Sequence, residues 1–399
     1  VNATIHPRKL ERLRPVAEFP RKVAIVHDWL PEVGGAERVL GEIINVLPEA
    51  DLFSLLDFIP SAQRGFLKDK PVRTSFLQKL PGIRRFYRFA LPLMPLAVET
   101  FDLSRYDLIL SSSYAVAKGV LSGPDQLHLC YCHSPMRYAW DLQEQYLRQT
   151  GMESGGRGFA ARALLHYMRL WDCRTPNGVD AFAANSEFIS RRIWKVYRRR
   201  STVIFPPVGS PPASSIGVGT DSRRVYVSLG RLVPYKRVDL LVEAFRKMPE
   251  RNLHIIGDGP ERARLERSLP DNVRLLGRVS ESELWSALRT AKGLVFAAEE
   301  DFGIALVEAQ AAGTPVIAYG RGGASESVLH GVTGVLFQEQ SVEGIVAAVE
   351  AAENAVFEPE NFARNVRRFS PEIFRSELSR WIKEHWDAFV RKREGVQFE

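Results

Sequence analysis

Glu300 and Glu308 stand with seven residues between them in the stretch 299–313, EEDFGIALVEAQAAG. A short apolar run, 293–298 (GLVFAA), precedes it and reads as a buried strand. The Ala- and Leu-rich segment that follows reads as a helix. Gly303 falls where strand gives way to helix. The backbone N–H groups of Gly303, Ile304 and Ala305 are then among the unpaired donors of a helix N-terminus, a seat for a phosphate. The carboxylates would repel that phosphate and are better suited to accept hydrogen bonds from hydroxyls, as on a sugar and a ribose. The plainer reading is an acidic loop before an amphipathic helix.

Four further clusters sit at expected strand ends. Gly34-Gly35 opens a helix after the first strand, where a missing Cβ lets a backbone N–H approach a pyrophosphate, or simply makes a tight turn. Arg231 and Lys236, in LGRLVPYKRVDLL, offer one guanidinium fork and one flexible ammonium, suited to two phosphates; as surface residues they would need no role. His133 closes the run LHLCYC in HSPMRYAWD, placed to donate to a substrate oxygen, with Arg137 four residues on. Gly322-Gly323, in GRGGASE, is another such turn, and Glu326 beyond it reads as a helix-start carboxylate. Cys130, Cys132 and His133 lack a nearby fourth metal ligand. The run GDGPER (257–262) mimics a dinucleotide fingerprint, but Arg262 replaces its third glycine and it lies mid-domain.

These residues need a scaffold that brings strand ends together, and the chain supplies one. Runs KVAIVH, DLFSLL, DLILSSS, LHLCYC and AFAANS alternate with helical stretches at 36–47, 159–174 and 188–198. After a Pro-, Gly- and Ser-rich break, a second series follows: RRVYVSLG, NLHIIG, VRLLG, GLVFAA, PVIAYG and GVLF. This alternation argues for parallel sheets covered on both faces, with the ligand in a crevice at the strands' carboxyl ends. The division is a polar leader at 1–20, a first Rossmann-like domain at 21–205, a linker at 206–222, a second such domain at 223–370, and a C-terminal helix within 371–399 that packs back toward the first.

The 399 residues carry a formal charge of +7, which points to an anionic partner. The start of the chain does not read as a secretory signal, and no apolar run is long enough to span a bilayer. Three cysteines, including Cys173, fit a reduced, cytoplasmic setting. Residues 66–101 hold seven basic side chains, Arg84, Arg85 and Arg88 among them, against Asp69 and Glu99, interleaved with aromatic and aliphatic residues. Two readings stand: a segment lying on an anionic membrane, or a core helix with a solvated basic face. No nucleic-acid-binding module accompanies the patch.

Taken together, Gly34-Gly35, His133, Arg231, Lys236 and EDFGIALVE resemble the retaining glycosyltransferases of family 4, from Lys22 onward. The resemblance implies the α/β GT-B fold: two Rossmann-like domains whose parallel sheets face an interdomain cleft. It implies a nucleotide-sugar donor held mainly by the second domain. Arg231 and Lys236 would bind the pyrophosphate, Glu308 the ribose and Glu300 the transferred sugar. The 303–305 amides would meet the donor, with Phe302, Val279, Gly34 and Gly35 completing its site. His133, Glu300, Arg231 and Lys236 form the implied catalytic set, and Arg137 and Ser112 are acceptor candidates. Asp301 stands where the family commonly has Gly, biasing the sugar or facing away.

No Asp-any-Asp pair occurs in the sequence, so cationic side chains would stabilise the leaving diphosphate, with no metal or other cofactor. HDWLPEVGGAERV and YCHSPMRYAWD resemble bacterial surface-polysaccharide enzymes. They favour mannosyl transfer from GDP-mannose to a lipid-linked saccharide, at the inner face of the cytoplasmic membrane. Rival readings are UDP-glucose or another hexose donor, a nucleotide-sugar epimerase or phosphorylase, and a non-catalytic saccharide scaffold.

Overall fold

The computed structural model describes residues 19–209 and 225–394. Most of the leader (1–18), most of the linker (210–222) and the terminal stretch 395–399 lie outside the described residues. Seven strands form the first sheet: β1 (Val23–His27), β2 (Asp51–Ser54), β3 (Val72–Thr74), β4 (Leu108–Ser113), β5 (Leu127–Cys132), β6 (Ala181–Ala184) and β7 (Ser201–Val203). Their spatial order is β3-β2-β1-β4-β5-β6-β7, with every pairing parallel. The second sheet has six: β8 (Val225–Leu229), β9 (Asn252–Ile256), β10 (Val273–Gly277), β11 (Ala291–Phe296), β12 (Val316–Tyr319) and β13 (Gly334–Phe337). They run β10-β9-β8-β11-β12-β13, again all parallel.

Strands covered on both faces are buried at every position, as β1, β4 and β5 are, and the polar residues they carry, such as His27, Ser111, Ser112 and His128, are hydrogen-bonded inside. β3 and β7 escaped the sequence reading because VRT and STV are short, half-exposed edges with no apolar run. The long helix Pro371–Glu394 leaves the second domain and covers the first. Phe374, Leu378, Trp381, Ile382 and Trp386 recur at helical spacing and join the same core as Ile25, Leu110 and Leu129. Arg375 pairs with Glu42 of the helix Gly35–Val46 at 2.7 Å. Replacing Trp381 by Ala would cost roughly 3–5 kcal/mol.

Residues 66–101 form no single continuous helix. Pro71, Pro81, Pro92 and Pro95 break the segment, which forms 3-10 turns at Phe76–Lys79 and Tyr87–Leu93 and short helices at Ile83–Phe86 and Met94–Glu99. Leu77, Ile83, Ala90, Met94 and Val98 enter the core, while Phe86, Phe89, Leu93 and Leu96 remain exposed. Among the described residues no helix is long and apolar enough to cross a membrane.

Candidate active site between the domains

A crevice opens at the carboxyl edge of a parallel sheet where strand order reverses. In the second sheet that point lies between β8 and β11. Arg231 follows β8, Lys236 closes the turn Pro234–Lys236, and Glu300 follows β11. Arg231 and Lys236 line one cavity with Gly230 and Phe296. The Lys236 ammonium pairs with Glu300 and lies 5.1 Å from the Phe296 ring centroid. Burial works against that ammonium, but the Glu300 carboxylate leads the groups that outweigh it, so the Lys236 pKa is raised. Arg231 is exposed, and its guanidinium has no hydrogen bond or ion pair among the described residues. Gly303, at φ +86°, turns the loop into the helix Ile304–Ala311, which carries the buried Glu308.

The first sheet reverses between β1 and β4, where His27 and Ser112 are partners in register. The Ser112 hydroxyl lies 3.0 Å from His27 Nδ1 and 2.9 Å from His133 Nε2, just past β5. Burial pushes the His133 pKa down to about 3, with His27 adding to the effect. Asp28 accepts from the N–H groups of Tyr114, Ala115, Val116 and Ala117 at 2.6–2.9 Å and so fixes the loop after β4. Gly34 caps the helix Gly35–Val46, and its N–H donates to Glu37 at 2.9 Å.

The two walls touch. Arg38 pairs with Glu308, and a Cβ on Gly35 would sit 2.8 Å from Ile304 Cδ1, so that glycine permits the domains' close approach. Asp301 faces the first domain. Arg137 and Arg192 of the first domain each hold its carboxylate at 2.9 Å, and Ser186 Oγ donates to its carbonyl at 2.6 Å. Glu326 is no cap for its own helix. It accepts from the N–H groups of Glu187 and Phe188, at 2.7 and 2.8 Å, on the helix Glu187–Tyr197 across the interface.

Several expected roles change on this geometry. Ser112 is fully buried with its hydroxyl spent between two histidines, so it offers an acceptor nothing. Arg137 is committed to Asp301, and its guanidinium lies 5.4 Å from the Tyr235 ring centroid. The Phe302 side chain is buried against Phe205 and Phe369. Val279 lies half-buried against the apolar layer around Trp285. The glycines of GDGPER serve packing: a Cβ on Gly257 would lie 1.9 Å from the Gly230 carbonyl oxygen. Sequence reading missed His27, Glu37, Arg38 and Arg192. Only His27, closing a strand as His133 does, carried a visible signal.

Residues 217–369 match the family of glycosyl transferases group 1. A GDP-mannose-dependent alpha-(1-6)-phosphatidylinositol monomannoside mannosyltransferase of Mycolicibacterium smegmatis is 35% identical over 150 residues, 33% of this chain and 39% of that protein. A D-inositol 3-phosphate glycosyltransferase of a Mycobacterium species is 30% identical over 186 residues, 41% of this chain and 42% of that protein. The chain thus spans about two fifths of the length of these curated relatives. Sucrose-phosphate synthase from Thermosynechococcus elongatus superposes with a TM-score of 0.68 at 18% identity, covering 92% of this chain and 99% of that one. Anabaena HepE, solved with UDP-glucose, gives 0.63 at 19% identity, covering 91% and 99%.

The fold is therefore GT-B, two Rossmann-like domains facing a cleft. Residues 217–369 of the second domain match the group 1 glycosyl transferases, and with the fold this makes the chain similar to GT4-like glycosyltransferases.

Proposed function

We propose that this chain transfers a hexose, with retention of configuration, from a nucleotide sugar to a lipid-linked saccharide in bacterial surface-polysaccharide synthesis. The observation that carries this reading is the Lys236–Glu300 pair beside Arg231, past the ends of β8 and β11, with Glu308 joined to Arg38 of the first domain; His133, just past β5, is taken as the first domain's contribution. A diphosphate reaching Lys236 competes with Glu300 for the ammonium and frees that carboxylate to accept from sugar hydroxyls. Glu308, one turn into its helix, meets the ribose by exchanging Arg38 for hydroxyl donors.

As the bond from anomeric carbon to phosphate oxygen breaks, negative charge grows on the diphosphate. Arg231, Lys236 and the amides at 303–305 stabilise it without a divalent ion. The acceptor oxygen attacks the face that the diphosphate leaves, and the departing phosphate takes the acceptor's proton. Glu300 positions the sugar and forms no bond to it. Mannose from GDP-mannose is the favoured donor, in keeping with what the mycolicibacterial relative is named for. A thermal-shift series with GDP-mannose, UDP-glucose, GDP and UDP tests this. A donor at a hundred times its dissociation constant adds about 2.7 kcal/mol of stability. GDP-mannose should raise the melting point most, and no shift with any of the four would remove the reading.

The lipid acceptor places the enzyme on an anionic leaflet as a peripheral protein at the inner face of the cytoplasmic membrane. Phe89, 81% exposed, with Phe86, Leu93 and Leu96 gives residues 83–99 an outward apolar face beside Arg84, Arg85 and Arg88. Replacing the three arginines by Gln should weaken co-sedimentation with phosphatidylglycerol vesicles, and unchanged binding would count against the membrane surface.

A further inference from the structure

Behind His133 runs a buried chain of polar groups that the reaction above does not use. Glu37 Oε2 accepts from the Gly34 N–H at 2.9 Å, and Glu37 Oε1 faces His27 Nε2 at 3.7 Å, beyond hydrogen-bond reach, so that His27 Nε2 is buried with no hydrogen-bond partner and this carboxylate is the charge it faces. His27 Nδ1 lies 3.0 Å from Ser112 Oγ, which lies 2.9 Å from His133 Nε2. Glu37 is 6% exposed, and His27 and Ser112 are fully buried. No water-filled surface can therefore re-pair them.

The chain has a direction. A hydroxyl carries one proton, so between two ring nitrogens Ser112 donates to one and accepts from the other. Which way round is decided at the far end. A carboxylate offers lone pairs only, and a bare His27 Nε2 facing Glu37 would set lone pair against lone pair in a site closed to water. His27 therefore turns its Nε2–H toward Glu37. The Nδ1 of a neutral ring is then bare and takes the Ser112 proton. Ser112 Oγ in turn accepts from His133 Nε2–H. That leaves His133 Nδ1 without a proton. This atom has no hydrogen bond among the described residues and is not among the buried atoms lacking a partner.

We propose that Glu37, His27 and Ser112 are positioning residues that hold His133 in its Nε2–H form, so that it presents to the cleft an acceptor for a hydroxyl proton. This reverses the donor role expected of His133 from the sequence. It rests on the nucleotide-sugar reading only in naming the hydroxyl as one of the sugar's. The proton arrangement itself is independent of any substrate.

The test is ¹⁵N NMR of histidine-labelled full chain, in which protonated and bare ring nitrogens resonate far apart. In the wild type, His133 should show a protonated Nε2 and a bare Nδ1, and His27 a protonated Nε2. Glu37→Gln can turn its carboxamide N–H toward His27 and keep its oxygen for Gly34, which reverses every donor in the chain. His133 should then carry its proton on Nδ1. A wild-type His133 protonated on Nδ1, or a His27 protonated on both nitrogens, overturns the proposal even if the variant fails to fold. So does a folded Glu37→Gln variant in which His133 is unchanged.

Turnover adds a second readout, since fluorine can accept a hydrogen bond but has no proton to donate. Of singly modified donors, the deoxyfluoro sugar should be as poor as the deoxy sugar at the hydroxyl facing His133. Recovery by fluorine there would restore the donor role and overturn the proposal. If no nucleotide sugar is turned over, the cleft reading fails while the NMR result still decides the proton arrangement.

Discussion

The second sheet meets the cleft with charge: Lys236 against Glu300, Glu308 against Arg38, and Arg231 open beside them. The first sheet meets it with His27, Ser112 and His133, buried groups whose hydrogen bonds run to one another. Ion pairs can exchange one partner for another where the incoming ligand brings its own charge or hydroxyls, so that no charge is left buried and unpaired. Sealed polar groups cannot, since each bond they lose costs its full desolvation. The difference assigns labour: the charged wall can trade its present partners for a ligand's charges and hydroxyls, while the opposite wall keeps fixed donors and acceptors.

The strongest way to break this comparison is to remove charge from the second wall. Lys236→Ala should lower kcat by at least about a hundredfold, the scale for losing one preorganised donor to a developing anion. Circular dichroism would check that the fold survives. Activity within a few-fold of wild type would show that the diphosphate is gripped elsewhere. Glu308→Ala should instead raise KM for the donor about tenfold or more, read from initial rates, as the loss of ribose hydrogen bonds requires.

Acid should separate the walls through stability. Burial lowers the pKa of His133 to about 3 and of His128, within β5, to about 4. Both lie below the unfolded value of about 6.5. Their contribution is therefore intact above pH 6.5 and falls away as pH drops through 6.5 toward 4, because the unfolded chain binds the protons more readily. For His128 alone the loss by pH 4 is roughly 3 kcal/mol. Urea melts from pH 7 to pH 4.5 should show it, and His128→Asn should flatten the slope. An unchanged slope in that variant would remove His128 as the cause.

The smallest effect belongs to the contact between the walls. Asp301→Ala leaves Arg137 and Arg192 without their shared carboxylate, while the Glu326 cap and the Arg38–Glu308 pair remain. A modest rise in the radius of gyration by solution scattering is expected, with kcat reduced a few-fold. An unchanged scattering profile would make Asp301 a bystander to closure.

Much of the charged wall was legible because its residues lie in two short stretches, each just past an apolar strand. Arg231 and Lys236 are five apart, and Glu300 and Glu308 eight apart, so spacing alone put each pair on one loop or helix. Residues 66–101 were harder: their apolar and basic pattern suggested one amphipathic segment, yet four prolines forbid a continuous helix. Asp301 was noticed, but its partners lie more than a hundred residues away.

The sequence by itself determined the two β-α series, the strand ends that carry the phosphate- and hydroxyl-binding types, and the helix that starts at Gly303, because strand burial, helix periodicity and turn chemistry are local. Tertiary structure alone decided that His27 meets Ser112 and His133, and that Asp301 meets Arg137 and Arg192. Those meetings depend on β1 lying beside β4 and on one domain closing against the other, and strand order and domain closure leave no mark in the spacing of neighbouring residues.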